Sequence, residues 1–171
     1  MAVVLALLTG LSVLAQESQP APAAGPRPAD AKIKPGKAFD ELADAALRAM
    51  TRRAEELQIQ GVAVVAFIEG DVTKSWSSKM AVVGTMKNAP TEKNRGANLL
   101  AIAYSKAAEM AETFKDSGSA GRPPMTGETG WQGGLIKKGR SGYLIAAFSG
   151  GPSEADVKVS RAGLDVLADK L

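Results

Sequence analysis

From Ala38 to Gln58 the apolar residues Phe39, Leu42, Ala43, Ala46, Leu47, Met50, Ala54 and Leu57 recur at helical spacing, so one face of a helix is apolar and the other charged. An amphipathic helix is predicted there, stopped by Gly61. Val62 to Ile68 is continuously apolar and rich in valine; it is short enough for a strand, and the lack of polar alternation predicts a central strand covered on both faces. Glu69-Gly70-Asp71 supplies turn chemistry. Beyond it Trp76, Ser78, Met80, Val82, Gly84 and Met86 occupy alternate positions, which predicts a second strand in a hairpin with the first.

Pro90-Thr91 precedes a second helical pattern, with Leu99, Ile102, Ala103, Ala107, Met110, Ala111 and Phe114 on one face, ending near Lys115. The segment from Asp116 to Thr129 contains Gly118, Gly121, Gly127 and Pro123-Pro124. A loop of that length is unusual in a compact domain unless it covers or lines something, which makes it a candidate site wall. Gly130–Lys137 and Ser141–Ser149 read as a hairpin around Lys138-Gly139-Arg140. Gly150-Gly151-Pro152 leads into a last helix, with Ser153 as N-cap and Asp156 as its reciprocal partner. That helix carries one apolar stripe at Val157, Leu164, Leu167 and Leu171 and another at Val159, Ala162 and Val166. One stripe can face the sheet. The other needs a partner, either a helix of the same domain or a second copy of the chain, so a homo-oligomer built through the last helix is an expectation. The order helix, hairpin, helix, hairpin, helix predicts an α+β fold with an antiparallel sheet.

Ahead of these elements, Val3–Leu8 and Leu11–Leu14 form an apolar stretch followed by Gln16-Glu17-Ser18. This has the core and small-residue boundary of a secretory signal and is too short to span a bilayer comfortably. Residues 1–15 are therefore expected to be a signal peptide, with a periplasmic or secreted product and no stable membrane span. Residues 16–37 hold five prolines, Pro20, Pro22, Pro26, Pro28 and Pro35, and read as an extended linker. The folded domain is then 38–171.

Charge and composition narrow the chemistry. The 21 basic and 18 acidic residues are interspersed for a net charge of +3, and aromatics make up 5% of the chain; without a basic block or an aromatic series, no nucleic-acid partner is expected. Histidine and cysteine are both absent, which removes the commonest general base, the thiolate nucleophile and disulfides. The spacings of a nucleophile elbow, a phosphate-binding loop and a calcium loop are also absent. No catalytic residue is singled out; Glu69, Asp71 and Glu128 are the carboxylates in loops to test.

One group of residues points further. Gly133-Gly134 before the last hairpin, Ser149-Gly150-Gly151 after it, Glu154 with Asp156, and Ala162-Gly163 together resemble the GlcG/HbpS family of haem-binding or haem-degrading-type domains, which also occurs at the carboxy terminus of PduO proteins. The resemblance covers about Ala38 to Leu171. It implies a profilin-like or PAS-like domain, frequent oligomerisation, and haem as the first candidate ligand. The chain departs from the family where Lys79-Met80-Ala81 lacks a carboxylate and where Gly96-Ala97-Asn98-Leu99 keeps only the alanine of a polar motif. Iron, if held, would fall to Met80, Tyr104, Met125 or Tyr143, with Met86 and Met110 also present, since thioether and phenolate groups serve as axial ligands. Gly133 and Gly134 would allow close backbone approach, and Gly150 and Gly151 would offer an anion the start of a helix. Each also has a plain structural role to fill: methionines pack cores and glycines make turns. The expected function is binding or sequestration of a small ligand. The alternative is a non-enzymatic oligomeric scaffold with a degenerate pocket.

Overall fold

The computed structural model describes residues 35–171; the expected signal peptide, and the expected linker up to residue 34, lie outside the described residues. The elements are α1 (Pro35–Glu56), β1 (Gly61–Glu69), β2 (Ser77–Val83), β3 (Lys87–Asn88), β4 (Ala97–Asn98), α2 (Leu99–Thr113), β5 (Gly134–Lys138), β6 (Gly142–Ser149) and α3 (Ser153–Ala168). Strands in the order β2-β1-β6-β5 form a four-stranded sheet in which every neighbour is antiparallel. The three helices pack on it, an α+β fold as the element order predicts.

The valine-rich run becomes β1, at the centre of the sheet and buried from Gly61 to Ile68. Its side chains alternate between two separate cores. Ala63, Val65 and Phe67 face α1 and α3 with Leu144, Ala146 and Phe148 of β6. Val62, Val64, Ala66 and Ile68 face α2 with Ile145 and Ala147. On β2 the register pairs Val64 with Met80 and Val62 with Val82, so the apolar alternation from Trp76 onward lies on the α2 side. Ala103, Ala107 and Ala111 turn toward the sheet from α2, and these short side chains let one helix lie close over the central strands.

The second stripe of α3 has its partner within the chain. Val159 is fully buried in the core shared with α1, and Gly163 allows the helices to approach so closely that a Cβ there would stand 2.6 Å from Met50 Cγ. Of the stripe that raised the expectation of a second copy, Val159 is thus buried within the chain, while Ala162 and Val166 are half-buried.

Element ends depart from the sequence reading for identifiable reasons. Helix α1 already starts at Pro35 rather than Ala38, a first-turn position where proline's missing N–H costs nothing. It is closed at Gln58, not at Gly61: Gln58 takes φ 56°, its N–H reaches Glu55 O and that of Ile59 reaches Ala54 O, a Schellman closure with glutamine where glycine is usual. Helix α2 starts at Leu99, well after Pro90-Thr91, because Gly96 turns with φ 74° and the Asn98 side chain accepts from Ala101 N at 3.0 Å, capping the helix. The residues before it form the β3–β4 ribbon, whose two-residue strands are too short to leave a periodic signal. In α3 the N-cap is Pro152 and no side chain caps the end. Ser153 is the first helical residue rather than the cap, and the Asp156 carboxylate accepts from Gly151 N instead. No helix among the described residues is long and apolar enough to cross a membrane.

Candidate functional site

The α2 side of the sheet, covered by one helix, leaves two clefts flanking the carboxy-terminal half of that helix. The larger, about 590 Å³, lies between the β1–β2 loop and α2. Val72 and Trp76 wall it on one side and Ala108, Ala111 and Phe114 on the other, with Lys74 and Glu112 as its charged lining residues. Thr73 donates to Ala111 O at 2.6 Å, which ties the loop to the helix and fixes the width of the cleft. Val72 is 63% exposed, an apolar wall facing solvent. The size and mostly apolar lining suit a small organic molecule.

The smaller cleft, about 360 Å³, is formed by the long loop that sequence marks as a site wall. Arg122 anchors this loop: its guanidinium donates to both oxygens of Glu128 at 2.7 and 2.9 Å and to Glu112 at 2.7 Å. Glu128 also accepts from Met125 N at 2.8 Å. The Arg122 hydrogen bonds, with the Met125 N–H, hold the Glu128 carboxyl down at about 2, and the two carboxylates push the Arg122 guanidinium further above its ordinary range. Glu128 is therefore a loop clamp. Glu112 lines the larger cleft and bonds the arginine that lines the smaller one.

Under the loop lies a buried charge cluster that the sequence reading missed. Lys106 Nζ donates to Asp156 Oδ2 and to Phe148 O, both at 2.8 Å, with both side chains almost wholly buried. Burial pushes the Asp156 carboxyl up; Lys106 and the backbone N–H groups of Gly151 and Gly150 pull it the other way. Glu109, one turn along α2, is 2% exposed. Its Oε1 accepts from Gly118 N at 2.8 Å, while Oε2 has no partner. The available signal was position: Lys106 falls on the same helical face as Ala103, Ala107 and Met110, where a charged residue needs a specific partner.

The residues expected from sequence are dispersed over this side. Tyr104 packs against Trp76 in a tilted arrangement with ring centroids 6.4 Å apart, and its Oη lies 3.4 Å from Ser78 Oγ. Tyr143 packs on Phe114 at 4.5 Å and under Lys138 Nζ at 5.6 Å. Each phenol thus packs on an aromatic side chain that lines the larger cleft. Met80 packs on the α2-side core, and Met125 is exposed on the long loop. None of these four lines the larger cleft. Around the glycines, the atoms that come close are the chain's own. Gly133, at φ 131°, faces Lys106 Nζ and Asp156, and its carbonyl accepts from Ser160 Oγ at 2.6 Å. Gly134 faces Met110 and Ser117, Gly150 faces the Gln60 carbonyl, and Gly151 faces Ile59 and Asp156.

No family model and no curated protein sequence matches the chain. Among solved structures, the crystal structure of a PduOC:haem complex is similar, with a TM-score of 0.49 and 14% identity over 72% of this chain and 89% of that one. At that similarity the likeness assigns neither a ligand nor a residue role here.

Proposed function

We propose that the protein binds a small, largely apolar, anionic molecule in the larger cleft and acts by holding or delivering it, with haem the first ligand to test. The observation that carries this reading is an exposed apolar slot, walled by Val72, Trp76, Ala108, Ala111 and Phe114, with Lys74 among its lining residues to meet a carboxylate. The sequence resemblance to the GlcG/HbpS family supports the same ligand class. The apolar stretch before Gln16 supports an exported protein.

The fit to haem is partial. The walls suit a flat apolar macrocycle, and Lys74 suits a propionate. The polar residues lining the cleft are Thr73, Lys74, Ser75 and Glu112, and none is among the usual axial ligands of haem iron. Tyr104 and Tyr143 pack on Trp76 and Phe114 and are not themselves lining residues of the cleft. Recognition is therefore assigned to the macrocycle and its carboxylates rather than to iron.

A paired titration tests this. Haemin and iron-free protoporphyrin are each titrated into the protein and followed by absorbance, with Ala108→Phe as a variant that fills the slot. Saturable binding of both, lost in Ala108→Phe with its circular dichroism unchanged, is the expected result. Absence of saturable binding for either compound, or binding that survives the filled slot, overturns the assignment.

A further inference from the structure

Glu109 is a carboxylate buried in the wall of the smaller cleft with half of its hydrogen-bonding capacity unused. Oε1 is satisfied by Gly118 N; Oε2 is buried and partnerless. A buried polar atom in that condition is costly, the more so when charged, so one persisting at a cleft wall is a place for a donor from outside the chain.

The surroundings define the partner's chemistry. Arg122, the cation that lines the cleft with Glu109, is committed to the carboxylates of Glu112 and Glu128. Lys106, the nearest cation along the helix, is committed to Asp156 and Phe148 O. Glu109 is therefore left without a counter-charge among these residues, and the local balance is negative. The rest of the lining is small or non-polar: Ala120, Gly121, Pro123, Pro124 and Gly130. Among the described residues no three His, Cys, Asp or Glu side chains are grouped as a metal site, so the cleft offers no multi-side-chain metal cage.

We propose that the smaller cleft binds a small organic ammonium ion. Its N–H donates to Glu109 Oε2, and its carbon stem lies against Pro123, Pro124 and Ala120. The loop is set in advance for this: Arg122 holds it to Glu112 and Glu128, and Ser105 Oγ accepts from Thr129 N at 3.0 Å. Little ordering is then left to the binding step, which favours even a small ligand.

Propylammonium chloride is the probe, with tetramethylammonium chloride, which has no N–H, and sodium chloride at matched ionic strength as controls. Calorimetric titration of the protein with propylammonium is expected to saturate, and neither control is. Glu109→Gln removes the charge while keeping the Gly118 bond, and should weaken binding about tenfold or more. Ala120→Leu leaves Glu109 in place and fills the cleft, so it should abolish binding even if Glu109→Gln proves unstable. No saturation, equal response to tetramethylammonium, or binding unaffected in Ala120→Leu would each overturn the proposal.

Discussion

On one face of the sheet two helices, α1 and α3, press on β1 and β6 and on each other, with Gly163 against Met50 and a core that runs from Phe39 to Leu167. On the other face a single helix, α2, covers the same two strands with alanines, and loops cover the rest. The first face is closed with apolar side chains. The second buries Lys106 and Glu109 of α2 at its margin, Lys106 paired with Asp156 from the start of α3, and leaves a cleft on either side of its helix. Two faces of one sheet thus differ in their cover: one is closed by apolar packing, and the other keeps the clefts in which the proposed ligands would sit. Buried ionic groups contribute little net stability but are costly to break singly.

That contrast can be tested by substitution. The largest effect is expected from Lys106→Ala, which strands a buried carboxylate at Asp156 and should cost about 3–5 kcal/mol in urea unfolding. The double variant Lys106→Met/Asp156→Asn should recover most of it, because the side-chain amide carbonyl introduced at position 156 still accepts from Gly151 N; a double variant no better than the single one would show that the pair is not the cause. Next, Leu167→Ala on the closed face should cost about 2–5 kcal/mol. Trp76→Ala at the open cleft should cost clearly less, as its ring is only partly buried. Equal losses would erase the proposed difference between the faces.

The smallest effect is local and pH-dependent. The Glu128 carboxyl lies at about 2 in the fold, below its ordinary 4.5, so its hold on Arg122 and on Met125 N is complete above about pH 4.5 and is lost as pH falls toward about 2. Amide exchange at Met125 should quicken over that window beyond the intrinsic pH dependence. In Glu128→Gln the excess should vanish; an unchanged profile would mean that the clamp does not hold the loop.

The elements of both faces were legible in the sequence because each has a clean period. Phe39 to Leu57 repeats as a helix, Val62 to Ile68 is too apolar to be exposed, and the alternation from Trp76 places Met80 and Val82 on one side. The start of α2 was not legible: its signal is a single capping asparagine behind a ribbon with two-residue strands. The larger cleft was hidden because its walls come from two segments, 72–76 and 108–114, that meet only when the strands pair. The loop 116–129 is readable as a wall from its length and glycines. For Lys106 the helical face gives the position away but not the partners: Phe148 and Asp156 come from distant parts of the chain, and Glu109 meets Gly118 only when the long loop folds back on α2. Asp156 serves the helix end that the sequence suggests, but through a different bond.

The register at the middle of the sheet also governs the order in which the chain can assemble. Strand β1 pairs with β2 soon after it on one side, but on the other its neighbour is β6, with Val62 opposite Ser149. During synthesis, therefore, the most apolar strand of the molecule has one open edge until nearly the whole domain exists. Such an edge is a template for pairing with another chain, and its closure depends on a contact between distant parts of the sequence, which slows folding. The segment from Gly142 onward, β6 and α3, thus acts as the protein's own cover against aggregation, and a chain interrupted before Gly142 would present β1 to its neighbours.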